Sequence, residues 1–350
     1  MTRAASPPPN ELRRPISLHD VAREAGVHSS TASRALTGAT DRPVNVETRA
    51  RVLEVATRLG YQPNAMARSL KTSSTGAIGM LVPSLRNPFW GKMLRGAVRR
   101  AWERGFVVLV AEDDGDDDTE QAYERLVAQA RIDGLIVASA VPGSALPGRM
   151  LASGAPCVFV ARASPGSNRN VTLPEELSSR RAVEHFAELG HRRLGHVSGP
   201  EQSSDLIERR VRGFLDATRE LGLPEPLVAR GNLDEPGGAR ATRELLSSET
   251  TAIYVTNFNQ AFGAVAAIRS ARLEVPRDIS LISADDDPVL DFLDPPLTAF
   301  LRPHEELGAA ALDELLRQLE GQAPRDVELE TPPELIVRAS TAEPRTRSGR

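Results

Sequence analysis

Apolar positions at the front of the chain recur at helical spacing. Leu18, Val21, Ala22 and Ala25 fall on one helix face, Ser17-Leu18-His19-Asp20 opens that helix like a capping box, and Gly26 ends it. A second helix is predicted from about Ser29 to Leu36, closed by Gly38. A third follows Asn45, with Val52, Val55, Ala56 and Leu59 at i, i+3, i+4 and i+7 and Gly60 as its stop; Pro63-Asn64 begins a very short fourth over 65–71. From Gly76 the pattern changes. Short apolar runs at 77–82, 106–111, 134–138, 156–160, 193–197, 226–230, 251–256 and 279–283 alternate with helical stretches such as 89–104, 119–131, 176–189, 204–221, 238–247 and 259–271. That rhythm predicts mainly parallel sheet covered by helices on both faces. So many strands exceed one small sheet, so two lobes are expected, with the longest break, 161–173, as a crossing between them. A late helix over 305–319 and a strand over 334–338 complete the body, while 1–15 reads as a disordered arm and 341–350 as a flexible tail.

Charge sharpens this division. The 350 residues carry a net charge of −4, yet residues 1–76 hold 11 Lys and Arg against 6 Asp and Glu, leaving an acidic remainder. A basic head on an acidic body points to a polyanionic partner for the head. The longest purely apolar run, 106–111, is far short of the roughly 20 residues a membrane helix needs, and the N-terminus has no apolar signal region. A single cysteine excludes an internal disulfide framework. No membrane partner and a cytoplasmic location are therefore expected.

Two short helices joined by Ala25-Gly26-Val27-His28 make a helix-turn-helix, whose second helix presents Ser29, Ser30, Thr31, Ser33 and Arg34 as a polar, cationic face suited to a major groove. A small structural helical bundle is the alternative. The run Leu18-His19-Asp20-Val21-Ala22-Arg23-Glu24-Ala25-Gly26-Val27, followed by Thr31-Ala32-Ser33-Arg34-Ala35-Leu36 and by Leu59-Gly60-Tyr61-Gln62-Pro63-Asn64-Ala65-Met66-Ala67-Arg68-Ser69-Leu70, resembles the DNA-binding head of the lac repressor (LacI/GalR) family. Further likeness runs through Asn87-Pro88-Phe89, Asp133-Gly134-Leu135-Ile136, Leu189-Gly190-His191, Pro295-Pro296-Leu297-Thr298 and Pro333-Glu334-Leu335-Ile336-Val337-Arg338, so it spans about 16–340.

The resemblance implies a small all-α helix-turn-helix head over 16–62, a hinge helix and linker over 63–75, and over 76–340 a two-lobed α/β body like periplasmic binding proteins. It implies base reading by Ser29, Ser30 and Arg34, phosphate contact or bracing by Thr31 and Ser33, and a minor-groove wedge at Leu70. Ser17, His28, Asn64 and Ala67 complete the expected DNA-binding set, with His28 standing where the family usually has Ser. It also implies a homodimer on a near-palindromic double-stranded operator, with a small-molecule effector between the lobes. Asn87, Phe89, Arg210, Asn257 and Asp285 match effector positions and Phe258 completes the expected effector-binding set, standing where the family usually has Asp; Pro174-Glu175 replaces an Asp-Asn pair. With those groups lost, a sugar-like ligand poor in hydroxyls or an anionic metabolite held by Arg210 is the expectation.

Other chemistry is sparse. The acidic run 112–118 fails the calcium-loop pattern because Thr119 stands where Gly is needed. Asp285-Asp286-Asp287 lies at a strand end, where carboxylates serve as hydrogen-bond acceptors; Cys157 sits in an apolar run; and no phosphate-binding loop or nucleophile elbow occurs. No catalytic residue, metal ligand or cofactor is expected. Two rivals fit the same α/β body: a solute-binding protein would need an export signal and no basic head, and a sugar- or nucleoside-processing enzyme would need convergent catalytic residues.

Overall fold

The structure, a computed structural model, describes residues 16–37, 43–61, 74–113 and 117–345. The expected arm 1–15, the turn glycine Gly38, the fourth helix with Asn64, Ala67 and Leu70, and the end of the tail lie outside the described residues. The chain divides into two compact units, Met1–Thr75 and Gly76–Arg350.

In the first unit three helices pack on one another: α1 (Leu18–Glu24), α2 (Ser29–Thr37) and α3 (Val46–Leu59). Their shared core is built from small and β-branched residues, among them Val21, Ala22, Ala32, Ala35, Val52 and Val55. Alanines at the contact let short helices approach closely. The Ser17 hydroxyl accepts the Asp20 amide while the Asp20 carboxylate accepts the Ser17 amide, so the expected capping box at α1 forms. Gly26 takes a φ of 64°, a left-handed value that a side chain would disfavour, and turns the chain into α2.

The second unit holds two six-stranded sheets. In chain order its elements are β1 (Ala77–Val82), α4 (Pro88–Glu103), β2 (Val107–Glu112), α5 (Asp117–Ala128), β3 (Gly134–Val137), α6 (Leu146–Ser153), β4 (Cys157–Val160) and β5 (Asn170–Thr172). Then come α7 (Glu175–Glu188), β6 (Leu194–Ser198), α8 (Asp205–Glu220), β7 (Leu227–Arg230), α9 (Glu235–Leu246), β8 (Ala252–Val255), α10 (Phe258–Ser270) and β9 (Ser280–Ser283). Last are β10 (Thr298–Leu301), α11 (His304–Leu319), β11 (Val327–Glu328) and β12 (Glu334–Ile336). The first sheet runs β11-β5-β4-β3-β1-β2 and the second β12-β10-β9-β8-β6-β7. All pairings are parallel except β10 with β12.

Strand alternation builds a core on each face of the first sheet. Ile78, Met80 and Val82 face the layer that contains α4 and α11, and Leu81, Leu135 and Phe159 face the other. The α4–α11 contact is close because Gly96 and Gly308 sit in it: a Cβ on either would collide with backbone of the facing helix.

Within the described residues the expected strands and helices appear, and the structure adds to them. The break at 161–173 is not itself the crossing: β5 occupies its end and pairs with β4 and β11 in the first sheet, and the chain passes to the second lobe only after it. It crosses back between β10 and α11, and again between β11 and β12.

Candidate nucleic-acid interface and ligand cleft

On α2, Ala32 and Ala35 are buried against α1 and α3, which leaves the polar edge outward. Ser29, Thr31, Ser33 and Arg34 are partly exposed and Ser30 is exposed. The Arg34 guanidinium lies back along the helix, donating from Nε to the Ser30 carbonyl at 3.1 Å and from Nη2 to the Thr31 hydroxyl at 3.3 Å. His28 precedes the helix. Its Nδ1 accepts the Ser30 amide at 3.3 Å and lies 2.9 Å from the Ser30 hydroxyl, while its carbonyl accepts the Thr31 and Ala32 amides. His28 therefore performs the N-cap task that a Ser would perform. Ser17 does the same for α1, and Arg51 ties α3 to the turn through the Ala25 carbonyl at 3.1 Å.

In the second unit the carboxyl ends of both sheets border a cleft of about 830 Å³. The strand-end rule finds it: Asn87, Phe89, Arg210, Asn257 and Asp285 all line it. Their roles are more structural than expected. Asn87 caps α4 by accepting the Phe89 amide. Asn257 caps α10 by accepting the Gln260 amide at 2.8 Å, and its own amide donates to the Leu233 carbonyl. Phe89 packs edge-on against Trp90 and His304. Phe258 is a correction: it turns away from the cleft into the second-lobe core, with its ring 4.9 Å from that of Phe262, because an apolar side chain at the first position of α10 is drawn to the helix face packed on the sheet.

Arg210 belongs to a cluster that sequence reading did not assemble. Its Nε donates to Glu175 Oε2 at 2.8 Å, Nη1 donates to the Thr256 carbonyl, and Nη2 lies 3.9 Å from Asp285. Arg302 reaches Glu175 at 2.5 Å and Asp285 at 3.3 Å, and His304 Nε2 lies 3.4 Å from Asp285. All five side chains are buried. Burial alone would push the Glu175 and Asp285 carboxyls up, but the neighbouring guanidiniums more than offset it and hold both below the usual carboxylate range. Burial holds the His304 imidazole below its ordinary range despite Asp285 beside it, and the two carboxylates face two guanidiniums. Arg210 thus faces the cleft with its charge already compensated. Glu175, noted in the sequence only as a departure, is the compensating group.

The first-lobe wall brings in residues that sequence reasoning missed. Trp90 and Arg162 stand together, the guanidinium carbon 5.6 Å from the ring centroid. The Ser139 hydroxyl donates to Asp113 at 2.5 Å. The loop after β7, with Asn232 and Asp234, also lines the cleft. The lobes are bridged by Arg86 and Glu235 at 3.8 Å and by Lys92, which lies 3.4 Å from Asp287 and donates to the Asp286 carbonyl at 2.6 Å. Among the described residues, no group of His, Cys, Asp and Glu is arranged to hold a metal ion, and no helix is long and apolar enough to cross a membrane.

Comparison with known proteins fits both units. Residues 17–64 match the family described as "Bacterial regulatory proteins, lacI family", and residues 183–341 match a "Periplasmic binding protein-like domain". The ribose operon repressor of Escherichia coli (strain K12) is 31% identical over 331 residues, covering 92% of this chain and 99% of that one. The HTH-type transcriptional repressor CytR of the same strain is 31% identical over 337 residues, covering 93% and 96%. Among solved structures, the lac repressor dimer bound to operator and the anti-inducer ONPF superposes with a TM-score of 0.82 at 28% identity, covering 94% of this chain and all of that one. A helix-turn-helix head and a two-lobed α/β body, each matched along nearly the whole length of repressors, place this chain in the lacI family of bacterial regulatory proteins, as a transcriptional regulator.

Proposed function

We propose that the chain represses transcription in the cytoplasm by gripping a near-palindromic duplex operator as a homodimer, and that a small molecule in the cleft adjusts the grip. The observation that carries this reading is α2, a helix whose alanine face is locked into a core and whose Ser, Thr and Arg edge is left outward. Such an edge can enter a major groove, with hydroxyls toward phosphates and base edges and Arg34 free to swing from its own helix to a guanine. Ser17 at the start of α1 and His28 at the start of α2 present helix N-termini, which suit phosphate contact. In this reading 16–62 is the DNA-binding domain and 63–75, with Asn64, Ala67 and Leu70, the hinge helix and linker. The body is 76–340.

A homodimer is supported by the apolar surface of the first lobe. Trp102 is 77% exposed, and Val98 on the same helix α4 and Val107 and Leu109 on the edge strand β2 are also exposed. A two-fold pair would place two identical heads on an inverted repeat. The lac repressor structure is of a dimer on its operator, and other relatives are a ribose operon repressor and a CelR–cellobiose complex, which favours a sugar-like or otherwise polar metabolite in the cleft. Such a ligand would touch both lobes and bear on the Arg86–Glu235 and Lys92–Asp287 bridges, with a coupling to operator binding of about 1–3 kcal/mol. We assign the cleft no catalysis and no cofactor, because its floor charges are spent on one another.

Arg34→Ala tests the carrying observation. It should weaken binding to the cognate operator by about 1–3 kcal/mol and relax base choice at one position of each half-site, as read by competition gel shifts. Equal losses on cognate and random duplex would reduce Arg34 to a phosphate contact.

A further inference from the structure

We propose that Arg162 selects the effector, and that the effector carries an anionic group, a carboxylate or a phosphate, which docks on this guanidinium. This rests on the reading of the cleft as an effector site. The other guanidiniums facing the cleft are compensated: Arg210 by Glu175 and Asp285, and Arg86 by Glu235. Arg162 lines the same cleft, and among the described residues it makes no ion pair. Among those residues its guanidinium makes one hydrogen bond, a long one, 3.4 Å from Nη1 to the Ser139 carbonyl.

The neighbouring carboxylates are near enough to be felt but are committed elsewhere. Asp113 accepts the Ser139 hydroxyl at 2.5 Å, and Asp205, the first residue of α8, accepts the Ala163 amide at 2.8 Å. Burial therefore wins over their pull and lowers the Arg162 guanidinium to about 10. A guanidinium that is desolvated without a direct partner gains most from an incoming anion, and its planar fork matches the paired oxygens of a carboxylate or phosphate.

The backbone holds the group in place. Ala161, buried at the end of β4, has a φ of 64°, a left-handed value for a residue with a Cβ, and the Arg162 amide closes a tight turn onto the Val160 carbonyl at 2.7 Å. Turns of this kind are rare and strained, and they persist where the surroundings enforce them. Here the turn leads directly into a side chain set beside the Trp90 ring. The opposite wall offers Asn232 and Asn259 to a polar remainder of the ligand, and the volume suits a pentose or hexose derivative.

Calorimetric titration of the full-length protein with matched pairs tests this: ribose against ribose 5-phosphate, and glucose against glucuronate and glucose 6-phosphate. Inorganic phosphate serves as the free anion. At least one acidic member should bind about tenfold or more tighter than its neutral twin, with the preference shrinking as salt rises. Preference for the phosphate or for the carboxylate member identifies which anion is taken. Arg162→Gln should remove the preference and Arg162→Lys should keep part of it, so loss in the first with retention in the second ties the effect to charge rather than to folding. Neutral twins binding as well as acidic ones, or a preference that survives Arg162→Gln, would overturn the assignment. If a neutral sugar binds as tightly as its acidic twin and alters operator retention, the anion proposal falls and the effector reading stands. If no member of either kind binds, both fall.

Discussion

Arg210 shows how far a residue's role depends on partners distant in sequence. It matches an effector position and does face the cleft, yet it is bound to Glu175, Asp285 and the Thr256 carbonyl inside the protein. Removing one member of a buried ionic cluster leaves its counter-charges stranded. Arg210→Ala should therefore destabilise the body by about 3–5 kcal/mol, seen as a lowered urea midpoint, rather than only silence a ligand response. An unchanged midpoint would show that Glu175 and Asp285 find other compensation. The pH sign follows from the same cluster. Both carboxyls are held below their ordinary values in the folded state, so their stabilisation is present above the unfolded pKa and is lost as pH falls through the folded ones. Glu175→Gln should flatten that acid limb. The pairing itself was not legible in the sequence: 175, 210, 285 and 302 meet only where α7, α8 and the ends of β9 and β10 come together on the second sheet, and nothing local marks Glu175 except that it replaces an expected residue.

At the scale of elements, periodicity was enough wherever an element was long or strictly patterned. The helices α1 and α3 and the eight apolar strands from β1 to β9, β5 aside, lie where alternation and capping residues put them. The short pieces escaped. β5 has three residues and β11 two, too few to show a period, and Pro147 and Gly148 disguise α6. The unread β10 hid part of the site, since Arg302 and His304 follow directly from its end. The departure at His28 also belongs to this scale. It stands in the expected DNA-binding set where the family usually has Ser, and in the structure its ring caps α2. His28→Ala should cost the first turn of α2 about 0.5–2 kcal/mol, measured as faster amide hydrogen exchange in the full-length protein, and His28→Ser should restore protection. If the alanine variant exchanges like the parent, the ring nitrogen does not cap the helix.

The whole molecule joins two units of opposite charge. The residues through Gly76 are basic and the remainder is acidic, so attraction to DNA is concentrated in the helical unit and the body is left to bind a small ligand and, in our proposal, a second copy of itself. The dimer proposal explains the exposed Trp102, and the cleft proposal explains why one arginine there has no ion pair among the described residues. Both depend on the helical unit recognising a particular sequence. The direct measurement is the affinity of the full-length protein for an inverted repeat from its own upstream region against a scrambled duplex, across a salt series. The account predicts a preference of about a thousandfold or more for the repeat, with affinity falling steeply as salt rises. Equal affinity for the two duplexes at every salt concentration would contradict it.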